Sequence, residues 1–109
     1  MFVNKNFDME NYLIGDSNSG VYRIYNLKSD RSYLSTTTDI NKTRAEERFK
    51  LDLGMHPCKA LQEDYTRTGL EVFVIELVRE EKDLSKLESL LEEVKKEFIS
   101  SGIELYPQG

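Results

Sequence analysis

Val21-Tyr-Arg-Ile-Tyr-Asn-Leu27, Lys28-Ser-Asp-Arg-Ser32 and Tyr33-Leu-Ser-Thr-Thr-Thr38 run on without a break, and their reading decides the fold. The first run is rich in β-branched and aromatic residues and reads as a strand. The second is a polar turn. The third is again β-prone, so the three together make a β-hairpin. Side chains two apart on a strand share a face, which sends Tyr22 and Tyr25 to opposite faces of the first strand.

Working outward from the hairpin, Asp39 is placed to cap a helix because its carboxylate can accept a free first-turn N–H. Ile40 to Lys50 reads as that helix, and Gly54 breaks it. His56-Pro57 opens a second helix, with Pro at a first position that needs no N–H. It carries Ala60, Leu61 and Tyr65 and ends at Gly69. Glu71 to Val78 is almost continuous β-former and reads as a central strand covered on both faces. Asp83 can cap the last helix, in which Leu84, Leu87, Leu91, Val94 and Phe98 recur at 3-4-3-4 spacing along one face. Gly102 stops it, and Ile103 to Pro107 is a short extended tail. Upstream, residues 1–19 read as an N-terminal extension, and residues 20–109 as a single domain. The expected class is α+β: a small three-stranded, mainly antiparallel sheet, the hairpin plus one central strand, flanked by about three helices.

The composition sets limits. The 109 residues suit one domain. With 39% hydrophobic and 32% charged residues, the chain is neither a membrane protein nor a disordered tail. A net charge of −5 excludes a uniformly basic nucleic-acid domain. A single cysteine excludes an intrachain disulfide framework and an all-cysteine zinc site. No apolar run is long enough for a membrane helix, and the first residues lack the apolar core of a secretion signal. A soluble cytoplasmic protein without a membrane partner is the expectation.

Few residues carry chemistry by themselves. His56 and Cys58 are two apart at the start of a helix and do not share a face, which disfavours a Cys–His nucleophile pair. Cys58 reads as a small, partly buried apolar residue. His56 reads as a helix-start residue whose ring hydrogen-bonds locally. No glycine-rich phosphate loop is present, so no small-molecule cofactor is expected. Glu88, Glu92, Glu93 and Glu97 read mainly as a solvated face of the last helix.

Gly20-Val21-Tyr22, followed after ten intervening residues by Tyr33-Leu34-Ser35, resembles the paired motif of the GIY-YIG nuclease superfamily. Thr36-Thr-Thr-Asp39-Ile40 resembles the polar step after the second triplet. Leu53-Gly54-Met-His56-Pro-Cys58-Lys-Ala-Leu61-Gln62 resembles a glycine, histidine, leucine-glutamine segment of many members. Gly69 before Phe73-Val-Ile75, and Asp83-Leu84 through Glu88, follow in the same order. The resemblance spans residues 20–106.

It implies metal-dependent hydrolysis of phosphodiester bonds in nucleic acid, DNA in the first instance. Tyr22 would orient or deprotonate the attacking water, a role that needs a nearby cation because an ordinary tyrosine has a pKa of about 10. Tyr33 would hydrogen-bond phosphate or water. Glu88 would hold a divalent cation, Mg²⁺ or Mn²⁺, through one carboxylate. The family arginine falls on Thr43 by direct count; Arg44, next to it and about 100° further round the helix, is the candidate for that catalytic role if the loop holds one extra residue. Loss of such a clamp costs several kcal/mol of transition-state stabilisation. The closing glycine of the second triplet is Ser35, and the terminal tyrosine-asparagine step is Tyr106-Pro107.

Charge is unevenly spread: residues 20–69 carry nine basic and seven acidic residues, and residues 70–109 carry five and ten. The hairpin and first two helices are therefore the part that could face a polyanion. Arg23, Lys42, Arg44, Arg48 and Lys59 are the candidate contacts, and the resemblance adds His56. So few cations imply weak, salt-sensitive binding. Three readings follow: an active nuclease, a nuclease-like domain of weak or lapsed activity, and an inactive nucleic-acid-binding or protein-interaction module on the same fold. The second is favoured.

Overall fold

The computed structural model describes residues 18–107. Strands β1 (Gly20–Asn26) and β2 (Arg31–Thr37) form the expected antiparallel hairpin, with Tyr22 opposite Ser35 and Ile24 opposite Tyr33. Asp30 takes the left-handed turn conformation that a short polar loop needs (φ 65°). Helix α1 (Ile40–Asp52) starts where expected: Asp39 accepts the Lys42 N–H at 2.9 Å. Helix α2 (Lys59–Thr68), strand β3 (Phe73–Glu80), helix α3 (Leu87–Ser100) and a two-residue strand β4 (Glu104–Leu105) follow.

The sheet has four strands in the order β3-β1-β2-β4, not three. The extra strand is the C-terminal tail, which pairs parallel with the start of β2. A two-residue strand has no periodicity of its own to read. The run at 71–78 is also not central. Its first residues form a short 3₁₀ turn (Leu70–Val72), and among the described residues β3 is an edge strand, paired with β1 alone. An apolar run shows burial but does not distinguish a middle strand from an edge covered by helices.

Two helix starts move. Pro57 is not in α2, because the His56 ring accepts the Cys58 N–H at 3.0 Å, and that local turn delays the helix to Lys59. Leu84 lies in a 3₁₀ turn (Leu84–Lys86) capped by Asp83, out of phase with α3, and is exposed. Leu87, Leu91 and Val94 keep the buried stripe.

Two cores lie on the two faces of the sheet. Tyr22, Ile24, Phe73 and Ile75 pack under α1 and α2 with Ile40, Leu51, Leu61 and Tyr65. Val21 and Leu34 pack under α3 with Leu91 and Val94. Asn18 and Ser19 already belong to this unit: the Asn18 carbonyl accepts the Ile40 N–H, the Ser19 carbonyl accepts the Glu81 N–H, and the Ser19 hydroxyl donates to the Glu81 carbonyl. The rest of the N-terminal extension lies outside the described residues. Among the described residues, no helix is long and apolar enough to cross a membrane.

Candidate functional site

Tyr22 and Tyr33 stand on the sheet face that α1 and α2 cover. Between them and α1 is a carboxylate that the sequence reading did not single out. Glu47 lies four residues after Thr43 and four before Leu51, which places it on the inner stripe of α1. It is 4% exposed. Tyr22 Oη donates to Glu47 Oε2 at 2.7 Å. His56 Nε2 is 3.1 Å from the same oxygen, and Lys50 Nζ is 3.5 Å from Oε1. His56 Nδ1 accepts the Cys58 N–H, so the ring carries its proton on Nε2 and points it at Glu47. The Tyr33 ring meets the His56 ring edge-on, with centroids 5.1 Å apart. Gln62 completes the support, accepting the His56 N–H and donating to the Leu51 carbonyl, both at 3.0 Å.

The electrostatics follow from burial around one negative charge. Burial pushes the Tyr22 hydroxyl far above its ordinary pKa, and the bond to Glu47 raises it further. Tyr33 is raised by burial first and by the Glu47 charge second. Burial also pushes the Glu47 carboxyl up, but the hydrogen bonds from His56 and Tyr22, with the charge of Lys50, outweigh it and hold Glu47 below the usual carboxylate range. Glu47 is therefore ionised at neutral pH and Tyr22 is a neutral phenol whose proton is already committed.

The residues singled out from sequence distribute as follows. Tyr22, Tyr33 and His56 come together around Glu47. Thr43 also faces inward, and its hydroxyl lies 2.6 Å from that of Thr37. Arg44 reaches the edge strand instead, donating to the Ile75 carbonyl at 3.1 Å and to Asn41. Lys42 and Lys59 are exposed, and Arg48 is half-buried. Arg23 is on the other sheet face, paired with Glu76 at 2.6 Å and stacked on Tyr25. Glu88 is exposed in the first turn of α3, the helix that packs on that other face. Among the described residues, no hydrogen bond or ion pair links it to the Tyr22 cluster.

A second buried polar group closes the far end of the same face. Asp64 accepts from Tyr106 Oη at 2.7 Å, with Asn26, Arg31 and Arg67 around it. Neither Glu47 nor Asp64 stands out in the sequence, where a carboxylate on a helix reads as solvated surface. The signal that finds Glu47 is its position on the same stripe as Ile40 and Leu51.

No protein-family model matches the sequence, and no curated protein matches it significantly. Two solved structures do match. The catalytic domain of homing endonuclease I-TevI is 26% identical, with a TM-score of 0.68, covering 83% of this chain and 99% of its own. A glutamate-to-alanine mutant of the I-TevI catalytic domain, described as an intron endonuclease, is 27% identical with the same TM-score, covering 83% of this chain and 92% of its own. The chain has a GIY-YIG-like fold.

Proposed function

We propose that this GIY-YIG-like chain is a divergent nuclease domain that hydrolyses phosphodiester bonds in nucleic acid, DNA first, with the help of a divalent cation, and that its activity is weak. The observation that carries the reading is the match of the fold, over most of both chains, to the catalytic domain of a homing endonuclease, together with Tyr22, Tyr33 and His56 meeting on one sheet face.

In this reading Tyr22 and Tyr33 address the attacking water and the phosphate. Lys42, Arg48 and Lys59 face the nucleic-acid backbone, with Arg44 at the edge of the same front; His56, buried against Glu47, supports the site from behind. Arg23 is discharged by Glu76 and contributes little. Among the described residues no group of three or more His, Cys, Asp or Glu could hold a metal ion. Mg²⁺ and Mn²⁺ do not need one: a hard cation uses one or two carboxylates and fills its shell with water and phosphate oxygens. The resemblance gives that role to Glu88, but Glu88 stands on the helix of the other sheet face, so its part as a cation ligand rests on the resemblance and not on convergence with Tyr22 and Tyr33. When bound, the cation supplies charge neutralisation at the leaving oxygen.

Two features support weakness. Thr43 offers no positive charge to a scissile phosphate. Tyr22, a neutral phenol whose hydroxyl donates to Glu47, is a poor acceptor for a proton from water, since Glu47 is itself a weak base. Cleavage of plasmid and oligonucleotide DNA at low salt with Mg²⁺ or Mn²⁺ tests the reading. Slow, metal-dependent cleavage abolished by Glu88→Ala is expected. Neither cleavage nor low-salt binding would sink it.

A second reading, a protein-interaction module on the same fold, is favoured by one observation. Phe49, Leu53 and Met55, at the end of α1, are 65%, 54% and 68% exposed. Stable association with a protein partner and no cleavage would select it.

A further inference from the structure

We propose that Glu47 is an internal occupant of the anion-binding centre of this site, taking the hydrogen-bond donors that a phosphate group would otherwise take. For the identity of the anion it displaces, the inference rests on the nuclease-type reading above.

Three donors from separate parts of the chain converge on one carboxylate. The Tyr22 hydroxyl comes from β1, the His56 Nε2–H from the segment between α1 and α2, and the Lys50 ammonium from the last turns of α1, at 2.7, 3.1 and 3.5 Å. Carboxylate and phosphate present the same feature to such donors: anionic oxygens that accept charge-assisted hydrogen bonds. A hydroxyl, an imidazole N–H and an ammonium arranged around a point would make a phosphate site if the point were open. Here it is filled from within. Glu47 is almost fully buried on the inner stripe of α1, between Ile40 and Leu51, so it does not swing out without moving the helix. The donors are also fixed. The Cys58 N–H holds the His56 ring in the tautomer that points at Glu47, and Tyr33 packs against that ring. A phosphate approaching Tyr22 therefore meets a negative charge and donors already in use.

Removing the carboxylate should open the site to an external anion. Inorganic phosphate is titrated into the wild-type chain and into Glu47→Ala, followed by thermal unfolding and by the ring NMR signals of His56 and the tyrosines. Acetate is a second probe and chloride at matched ionic strength the control. Phosphate and acetate should raise the Tm of Glu47→Ala saturably and shift its His56 signals, while the wild type responds no more than to chloride. If Glu47→Ala folds only when phosphate or acetate is added, that is the expected result in a stronger form. If it folds in neither, Glu47→Ser, which keeps a polar group in the space, takes its place in the same titration. Saturable phosphate binding at the His56 and Tyr22 rings of the wild type, or no anion response in the folded variant, overturns the inference.

Cleavage assays separate this from the functional reading. Wild-type cleavage that Glu47→Gln abolishes would make Glu47 the acceptor of the Tyr22 proton; the nuclease reading then stands and this inference falls. Phosphate rescue of Glu47→Ala, with no oligonucleotide binding by either protein, would keep the occupied anion centre and sink the nucleic-acid reading.

Discussion

Glu47 shows how one buried charge organises its neighbours. It sits where an apolar side chain would ordinarily stand, and it is tolerated because each oxygen has partners. The consequence for pH follows from the directions of the shifts. The folded state holds Glu47 below its ordinary value of 4.5, so the stability this group contributes is complete above about that pH and is lost as acid protonates it below. Tyr22 and Tyr33 are held above their ordinary value of 10.0, so their contribution is complete below that pH and is lost as base ionises them above it. Urea unfolding across pH should give a plateau with both limbs. Tyr22→Phe should lower the plateau by about 1.5–3 kcal/mol, the worth of a hydrogen bond to a charged group. It should also flatten both limbs, since the variant lacks the phenol and Glu47 loses one of the bonds that hold its pKa down. A Tyr22→Phe profile that parallels the wild type would refute the assignment of these limbs to the Tyr22–Glu47 pair.

At the level of elements, the hairpin and the inner stripe of α1 hold the site, and a glycine sets the hairpin against β3. A Cβ on Gly20 would collide with the Arg79 backbone carbonyl of β3, at the place where the β1–β3 register shifts. Backbone cannot yield as a flexible side chain can. Gly20→Ala should therefore cost about 2–3 kcal/mol, toward the top of the overpacking range, read as a lower denaturant midpoint with an unchanged slope. The glycine of the first triplet is thus a packing requirement here, independent of catalysis. The hairpin, α1 and its Asp39 cap were legible because each has a local cause: alternation, a polar turn, a carboxylate before the first helical residue. The start of α2 was not. The group that delays it is the ring of His56 turning back on its own chain, which no propensity records.

Across the whole molecule, α1 and α2 cover one sheet face and α3 the other, and the charge divides along the same line. The slightly basic half of the sequence supplies the hairpin, α1 and α2, while the acidic half supplies α3. Of the six cations on α1 and α2, Lys50 and Arg67 are paired with Glu47 and Asp64, which leaves Lys42, Arg44, Arg48 and Lys59 as the contacts proposed for a polyanion. Four contacts imply a slope of log affinity against log salt of about −3 to −4, at roughly −0.9 per phosphate on duplex DNA. Binding titrations at several salt concentrations should return that shallow slope. A slope twice as steep would mean that further cations, outside this front, take part.

By itself the sequence determined the α+β class, the hairpin, the capped helix after it and the GIY-YIG-like order of motifs. All of these are carried by neighbours in the chain or by spacing along one element. Only the tertiary structure decided that β3 is an edge, that the C-terminal tail pairs as a fourth strand, and that Glu47 gathers Tyr22, His56 and Lys50 around it. The reason is physical. A carboxylate on a helix is solvated surface or buried centre according to what packs over it, and for Glu47 two of its three partners, Tyr22 and His56, are brought in from β1 and from the segment after α1 by the fold.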